Sequence, residues 1–422
     1  MRKIIILVAA LLTALFVSAQ SKAWRLQQCV DTALANNRNI KQRELIRQQN
    51  EIAWKQSRNN LLPSLNASAR HNWSFGRSEV TNGTKIDGNS NNSSFGFSSD
   101  LTIFDGLKMK YDIDARMTDL KKSEADLNKI KQDIALSVAS AFLQVLYNKE
   151  LVQINTEQCK LTSNRIEQQQ SLVKSGRLAE GELLELQAQL AKEEVTRTES
   201  EGSLKLALLD LAQILELPDF ENLDVEVPAD LLESELQVLS ANSVYESALK
   251  NRAEIKSAEY QLQGSEKNVL IAKSAYYPTL SFGASAGKSF YNLHPTPFNT
   301  SLGLTLNVPI FNKLQVRNNV KTAQIEIQSN QINVENAKLE LRKNIQQAYY
   351  NAVSAKAKLE ASQKSVNSGA EAYRFAEKKY EGGRANVYEL YQAKNNYARA
   401  QSEATQAKYE YVFRLKMLEL YK

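Results

Sequence analysis

Residues 299–311, NTSLGLTLNVPIF, limit most sharply what this chain can fold into. Leu302, Leu304, Leu306, Val308 and Ile310 share one parity, while Ser301, Gly303, Thr305, Asn307 and Pro309 share the other. Alternation with period two is a strand with one apolar face. Pro309 has no N–H to give a ladder and marks the strand's end. The same pattern stands 207 residues earlier, where Phe95, Phe97, Leu101 and Ile103 alternate with Ser94, Gly96, Ser98, Asp100 and Thr102. The chain is therefore an internal duplication, each half setting a few strands among long helices.

In the first repeat, 20–215, residues 24–61 are helical in pattern and stop before Pro63. A strand over 64–75 carries Leu65, Ala67, Ala69, His71, Trp73 and Phe75 on one face. A polar Asn/Ser/Gly loop leads to the second strand, 94–104. Asp105-Gly106 opens a helix over 105–174, Ser175-Gly176-Arg177 makes a turn, and a helix over 178–215 follows. Residues 216–240 hold Pro218, Pro228 and the alternating LDVEV, and read as a small mixed connector. The second repeat, 241–422, restarts the plan: helix 241–277, strands 279–288 and 300–311, helices 313–381 and 386–422. Pro278 stands 215 residues after Pro63, and Ile255 repeats Ile40 at the same offset. The second inter-strand loop is eight residues shorter, which turns 215 into 207.

Ile134, Val138, Ala141 and Val145 recur as Leu341, Ile345, Ala348 and Ala352. Steps of three and four residues make one helix face that packs on neighbours. At 1.5 Å per residue the long helices measure roughly 100 Å and the short ones roughly 56 Å. Two short helices end to end thus match a long one, with the connector at mid-height.

Arg2 and Lys3 precede an apolar run over 4–17 and then Val17-Ser18-Ala19, the pattern of a secretory leader, 1–19. Beyond it no run of about 18 apolar residues exists, so a membrane can be met only with strands. Formal net charge is +6, with basic and acidic residues interspersed, which offers no nucleic-acid patch. Two histidines, His71 and His294, make no metal cluster, and no nucleophile elbow, phosphate loop or Cys/His ligand spacing appears. The composition therefore argues against an enzyme, a metal site or a cofactor. Cys29 and Cys159 are too few for a disulfide framework, and helix register separates them by roughly 30 Å, so both are expected as free thiols.

Four strands cannot close a barrel, and lipid does not tolerate an open sheet edge. Strands of 11–12 residues suit an outer-membrane barrel tilted near 45°. Trp73, Phe75, Phe95, Phe97, Phe290 and Tyr291 lie toward the loop-bearing ends, where a membrane girdle belongs. Closure requires several copies, and three would give twelve strands. A soluble protein with two β-hairpins packed on helices would need a cover for the apolar strand faces that this chain does not contain.

Residues 24–422 resemble the TolC-type outer-membrane efflux channels. The likeness rests on the duplicated plan and on an ordered set of short segments. These are CVDTALANN (29–37), LLPSL (61–65) with YYPTL (276–280), and TIFDG (102–106) with PIFNK (309–313). VKSGRLAEGELLELQAQL (173–190) pairs with KYEGGRANVYELYQAKNNY (379–397). The resemblance implies a mostly helical fold with a β-barrel contribution, as a homotrimer with a twelve-stranded outer-membrane barrel, a periplasmic helical tunnel and an equatorial collar. It implies a periplasmic adaptor, or membrane fusion, protein and an inner-membrane transporter as partners, in drug efflux or type I secretion. The turns at Gly176-Arg177 and Gly383-Arg384 would form the periplasmic, adaptor-docking tip. Glu182 and Glu389, six residues after those glycines, would narrow the pore, with Tyr380 and Arg384 at the gate. The arginines directly follow their glycines here, where the family's best-known member places one a residue later. Asn386 and Glu389 also fit a capping box, whereas Glu182 follows Ala179 with no such cap. The rival reading is a membrane-anchored trimeric coiled-coil structural or adhesive protein, which should carry a large passenger or long surface loops.

Overall fold

The computed structural model describes residues 23–80, 84–175, 179–218, 223–226, 240–291 and 294–421. The expected leader, Gly176, Arg177 and residues 219–222 and 227–239 of the connector lie outside them. The chain forms two compact units, one of residues 43–127 and 253–339, the other of 1–42, 128–252 and 340–422. Neither coincides with a sequence repeat, because each draws segments from both halves.

The first unit holds a sheet in which β1 (Asn66–Ser74), β4 (Ser90–Phe104), β5 (Thr279–Tyr291) and β7 (Asn299–Asn307) lie side by side in that order. Every pairing is antiparallel. The expected polar loop after β1 contains a hairpin of β2 (Arg77–Val80) and β3 (Thr84–Asp87), and a short β6 (His294–Pro295) pairs antiparallel with the end of β5. Opposed residues put the apolar parities together: Leu280 faces Leu306, Phe282 faces Leu304 and Ala284 faces Leu302. On the other side Leu101 meets Phe282, and Ala69 meets Phe95. β7 ends at Asn307 rather than at 311. Its last partner is Thr279, and the residue before that is Pro278, which cannot donate to the ladder. The register slips between Thr102 and Phe104, which returns Phe104 to the apolar side opposite Leu280.

Two residues of left-handed backbone stand immediately before the helix that follows β4 and before the one that follows β7. They are Gly106 (φ +69°) and Leu107 (+68°) in one half, and Lys313 (+53°) and Leu314 (+63°) in the other. The helices therefore begin later than expected, at Lys108 and Gln315. At Gly106 a Cβ would lie 2.5 Å from the Ser274 carbonyl oxygen, so only glycine fits.

The helices are α1 (Leu26–Asn36), α2 (Arg38–Asn59), α3 (Lys108–Lys174), α4 (Glu180–Leu215), α5 (Ala241–Asn251), α6 (Ala253–Ser274), α7 (Gln315–Glu381) and α8 (Val387–Leu420). None is long and apolar enough to cross a membrane among the described residues. The single helices expected over 24–61 and 241–277 are each broken, at Asn37 and Arg252. These positions stand 215 residues apart, so the break belongs to the duplication. At Asn37 the backbone turns extended (ψ 126°), and the side-chain oxygen accepts from Asn39 N at 2.9 Å, capping the next helix. At Arg252 ψ is 131°, and the side chain reaches the Leu420 carbonyl at 3.3 Å.

The second unit is built on Val138, Phe142, Leu146, Leu211, Val412 and their neighbours, with Cys29 fully buried among them. The described stretch of the connector joins this core through Leu223 and Val225. Trp24 pairs with Val225 as an isolated parallel bridge, Arg25 meets Glu226 at 2.7 Å, and Lys149 on α3 meets Asp224 at 2.7 Å.

Candidate functional site

In the second unit, the facing ends of α3, α4, α7 and α8 carry a polar cluster. α7 closes with a Schellman turn: Gly383 N donates to Tyr380 O at 3.0 Å and Arg384 N to Lys379 O at 2.8 Å, with Gly383 at φ +67°. That turn orients Tyr380, one residue before the helix's last. Its hydroxyl donates to Glu182 Oε2 on α4 at 3.1 Å and accepts from Gln169 Nε2 on α3 at 3.1 Å. The Arg165 guanidinium lies 5.6 Å from the Tyr380 ring and pairs with Glu377 at 2.9 Å. Beneath these, Ile166, Leu186 and Val387 form a small core with Leu183, Leu190 and Tyr391 packed on it. Burial, and then the Glu182 carboxylate, raise the Tyr380 pKa, so the phenol stays a proton donor.

Of the expected gate residues, Tyr380 and Glu182 are brought into contact and Glu389 is not. Glu389 is exposed in the first turn of α8, where its backbone N donates to Asn386 Oδ1 at 2.9 Å. Its carboxylate is not needed for that cap. The Arg384 side chain is also exposed.

Arg165, Gln169 and Glu377 were not legible as site residues. Nor was Lys394, which is 4 % exposed. A lysine standing in the apolar stripe of Val387, Leu390 and Ala400 was the available signal.

In the first unit, the sheet leaves its apolar face bare. Leu302, Leu304 and Leu306 are 70, 67 and 64 % exposed, and Trp73, Phe95 and Phe97 are exposed with them. Phe95 and Phe290 meet edge to face at 6.2 Å between centroids, and His71 and Trp73 at 4.1 Å. Tyr291 departs from the expected girdle: it pairs with Asn92 while Phe290 pairs with Ser93, and neighbours along a strand point to opposite faces. Phe75 lies beyond the end of β1. Lys288 shares the apolar face opposite Phe95, 5.7 Å from the Phe290 ring.

The family of outer membrane efflux proteins matches residues 29–216 and 244–420, most of the chain. The chain belongs to that family.

An outer membrane efflux protein is a passive channel of the outer membrane, not an enzyme. The toxin and drug export protein A of Aggregatibacter actinomycetemcomitans is 22 % identical over 398 residues, covering 92 % of this chain and 84 % of that one. A membrane protein of Pseudomonas aeruginosa has the same fold, with a TM-score of 0.80 at 17 % identity over 94 % of this chain and 93 % of the other. The CmeC outer membrane channel of Campylobacter jejuni matches with a TM-score of 0.80 at 19 % identity, over 94 % and 85 %. Helices with a small antiparallel sheet are thus the family's fold, a helical tunnel with strands given to a barrel.

Proposed function

We propose that three copies of the chain close a twelve-stranded barrel in the outer membrane and continue it as a periplasmic helical tunnel. The duct is passive, and cargo is delivered by an inner-membrane transporter through a periplasmic adaptor. The open sheet carries this reading. β1 and β7 form its two edges, and in the order β1-β4-β5-β7 they run in opposite directions. The β7 edge of one copy can therefore meet the β1 edge of the next in another antiparallel pair, and the apolar face then becomes the lipid surface. The name of the Aggregatibacter relative, toxin and drug export, supports cargo that leaves the cell. The leader over 1–19 would send the chain across the inner membrane.

Tyr380 and Glu182 hold the narrow end closed, with Arg384 beside them. Glu389, whose exposed carboxylate takes no part in the cap, supplies with its copies an acidic ring that favours cations. The turns at Gly176-Arg177 and Gly383-Arg384 receive the adaptor. Purified protein in planar bilayers should give discrete conductance steps. An assembly that forms yet never conducts would favour the anchored structural protein instead.

A further inference from the structure

Lys394 on α8 is buried, yet its ammonium has three partners on two other helices. It donates to the Gln158 carbonyl on α3 at 3.1 Å, to the Thr162 hydroxyl, and to Glu193 Oε1 on α4 at 3.0 Å. Thr162 Oγ1 donates in turn to Glu193 Oε2 at 2.5 Å, and Gln189 Nε2 donates to Glu193 Oε1 at 3.0 Å. All three ammonium protons and both carboxylate oxygens are therefore used.

Stability alone does not call for such a group. Desolvating a lysine and a glutamate costs as much as their attraction returns, and apolar side chains of the same size would hold the layer at least as well. The duplication does not call for it either. The position 207 residues before Lys394 is Gln187, which is exposed, and the one 207 after Thr162 is Gly369, whose Cβ would lie 3.5 Å from Tyr397 Cα. What the polar knot supplies is register between one helix and two others.

Its place gives that register a use. On the side toward the Gly383 turn lie the Arg165–Glu377 and Gln169–Tyr380–Glu182 contacts. On the other side α3 and α8 part around a cleft lined by Gln153, Glu157, Leu161, Tyr397 and Gln401. The Gln158 side-chain oxygen is buried there without a partner, so this layer carries a cost in the present arrangement.

We infer that Lys394 is a positioning residue of the gate: with Glu193 and Thr162 it pins α8 to α3 and α4, and opening is confined to the residues between it and the Gly383 turn. The inference rests on the gate reading of Tyr380 and Glu182. Glu193→Leu/Lys394→Met replaces the knot with apolar side chains and leaves every tip residue in place. In planar bilayers its open fraction should rise roughly five- to thirtyfold, while the thermal unfolding midpoint of the assembly stays or rises. Thr162→Val should shift gating the same way, and Thr162→Ser should restore wild-type behaviour. Tyr380→Phe, measured alongside, reports on the gate reading alone. If Tyr380→Phe opens the channel and the knot variants do not, the pivot is wrong and the gate stands. If neither opens it, both readings fall. Opening by both the knot variants and Tyr380→Phe, with the stability of the knot variants unchanged, supports the pivot, whereas opening by the knot variants alone overturns it as a positioning residue of this gate. Should the double variant fail to assemble, Glu193→Gln, which keeps the size, is read instead, and wild-type gating there overturns the inference.

Discussion

The Tyr380 hydroxyl donates to Glu182 Oε2 at 3.1 Å, joining two helices whose partner residues stand 198 positions apart in the chain. Hydrogen bonds to a charged acceptor contribute about 1.5–3 kcal/mol, and partial exposure brings this one nearer ~1. Tyr380→Phe should therefore raise the open fraction about fivefold in single-channel recordings. The raised tyrosine pKa sets the pH range. The neutral phenol is the donor, so the contact is complete below the ordinary tyrosine value of ~10 and is lost only as pH climbs through the raised one. Phenol ionisation should leave wild-type gating unchanged between about pH 7 and 9. A Tyr380→Phe channel that gates like wild type would show that this bond is incidental.

Glu389 and Glu182 are separable. Glu389→Gln removes an exposed charge and keeps the backbone cap on Asn386, so the protein should fold normally and lose cation selectivity. Glu182→Gln should act mainly through Tyr380, changing the open fraction more than the selectivity. If both variants keep wild-type reversal potentials and block by multivalent cations, these glutamates are only helix-end chemistry.

Much of this was legible in the sequence because two offsets recur through the chain. Period two in 299–307 and in 94–104 exposed the strands, and the repeat of Pro63 as Pro278 exposed the plan. The break at Arg252 was not legible, since neither proline nor glycine marks it and the arginine has no capping chemistry of its own. Lys313 and Leu314 hid the start of α7 in the same way, by taking left-handed backbone without a glycine. At the candidate gate, the turn glycine Gly383 was visible, whereas the pairing of Arg165 with Glu377 depends on packing between helices 212 residues apart.

Both cysteines should be unreactive in the folded protein. Burial pushes the Cys29 thiol up to about 11, and burial followed by the Glu193 carboxylate raises that of Cys159. Near pH ~8 both are thiols rather than thiolates, and thiols do not attack. A disulfide-exchange reagent should release nothing from native protein and two equivalents from unfolded, unreduced protein. No release after unfolding would mean that Cys29 and Cys159 are bonded.

Leu304 and Thr305 are adjacent and face opposite sides of the sheet. Leu304→Arg should cost about 2–4 kcal/mol per chain if it meets lipid near the midplane, and Thr305→Arg far less. Yield of folded oligomer in the outer-membrane fraction checks this. Equal loss from both would reverse the assignment of lipid and lumen faces.

In the proposed assembly, four strands per chain are one third of a closed barrel. Native mass spectrometry of the detergent-extracted outer-membrane protein tests it most directly. One dominant species with the mass of three mature chains is expected. A stable species of one, two or four chains would contradict it.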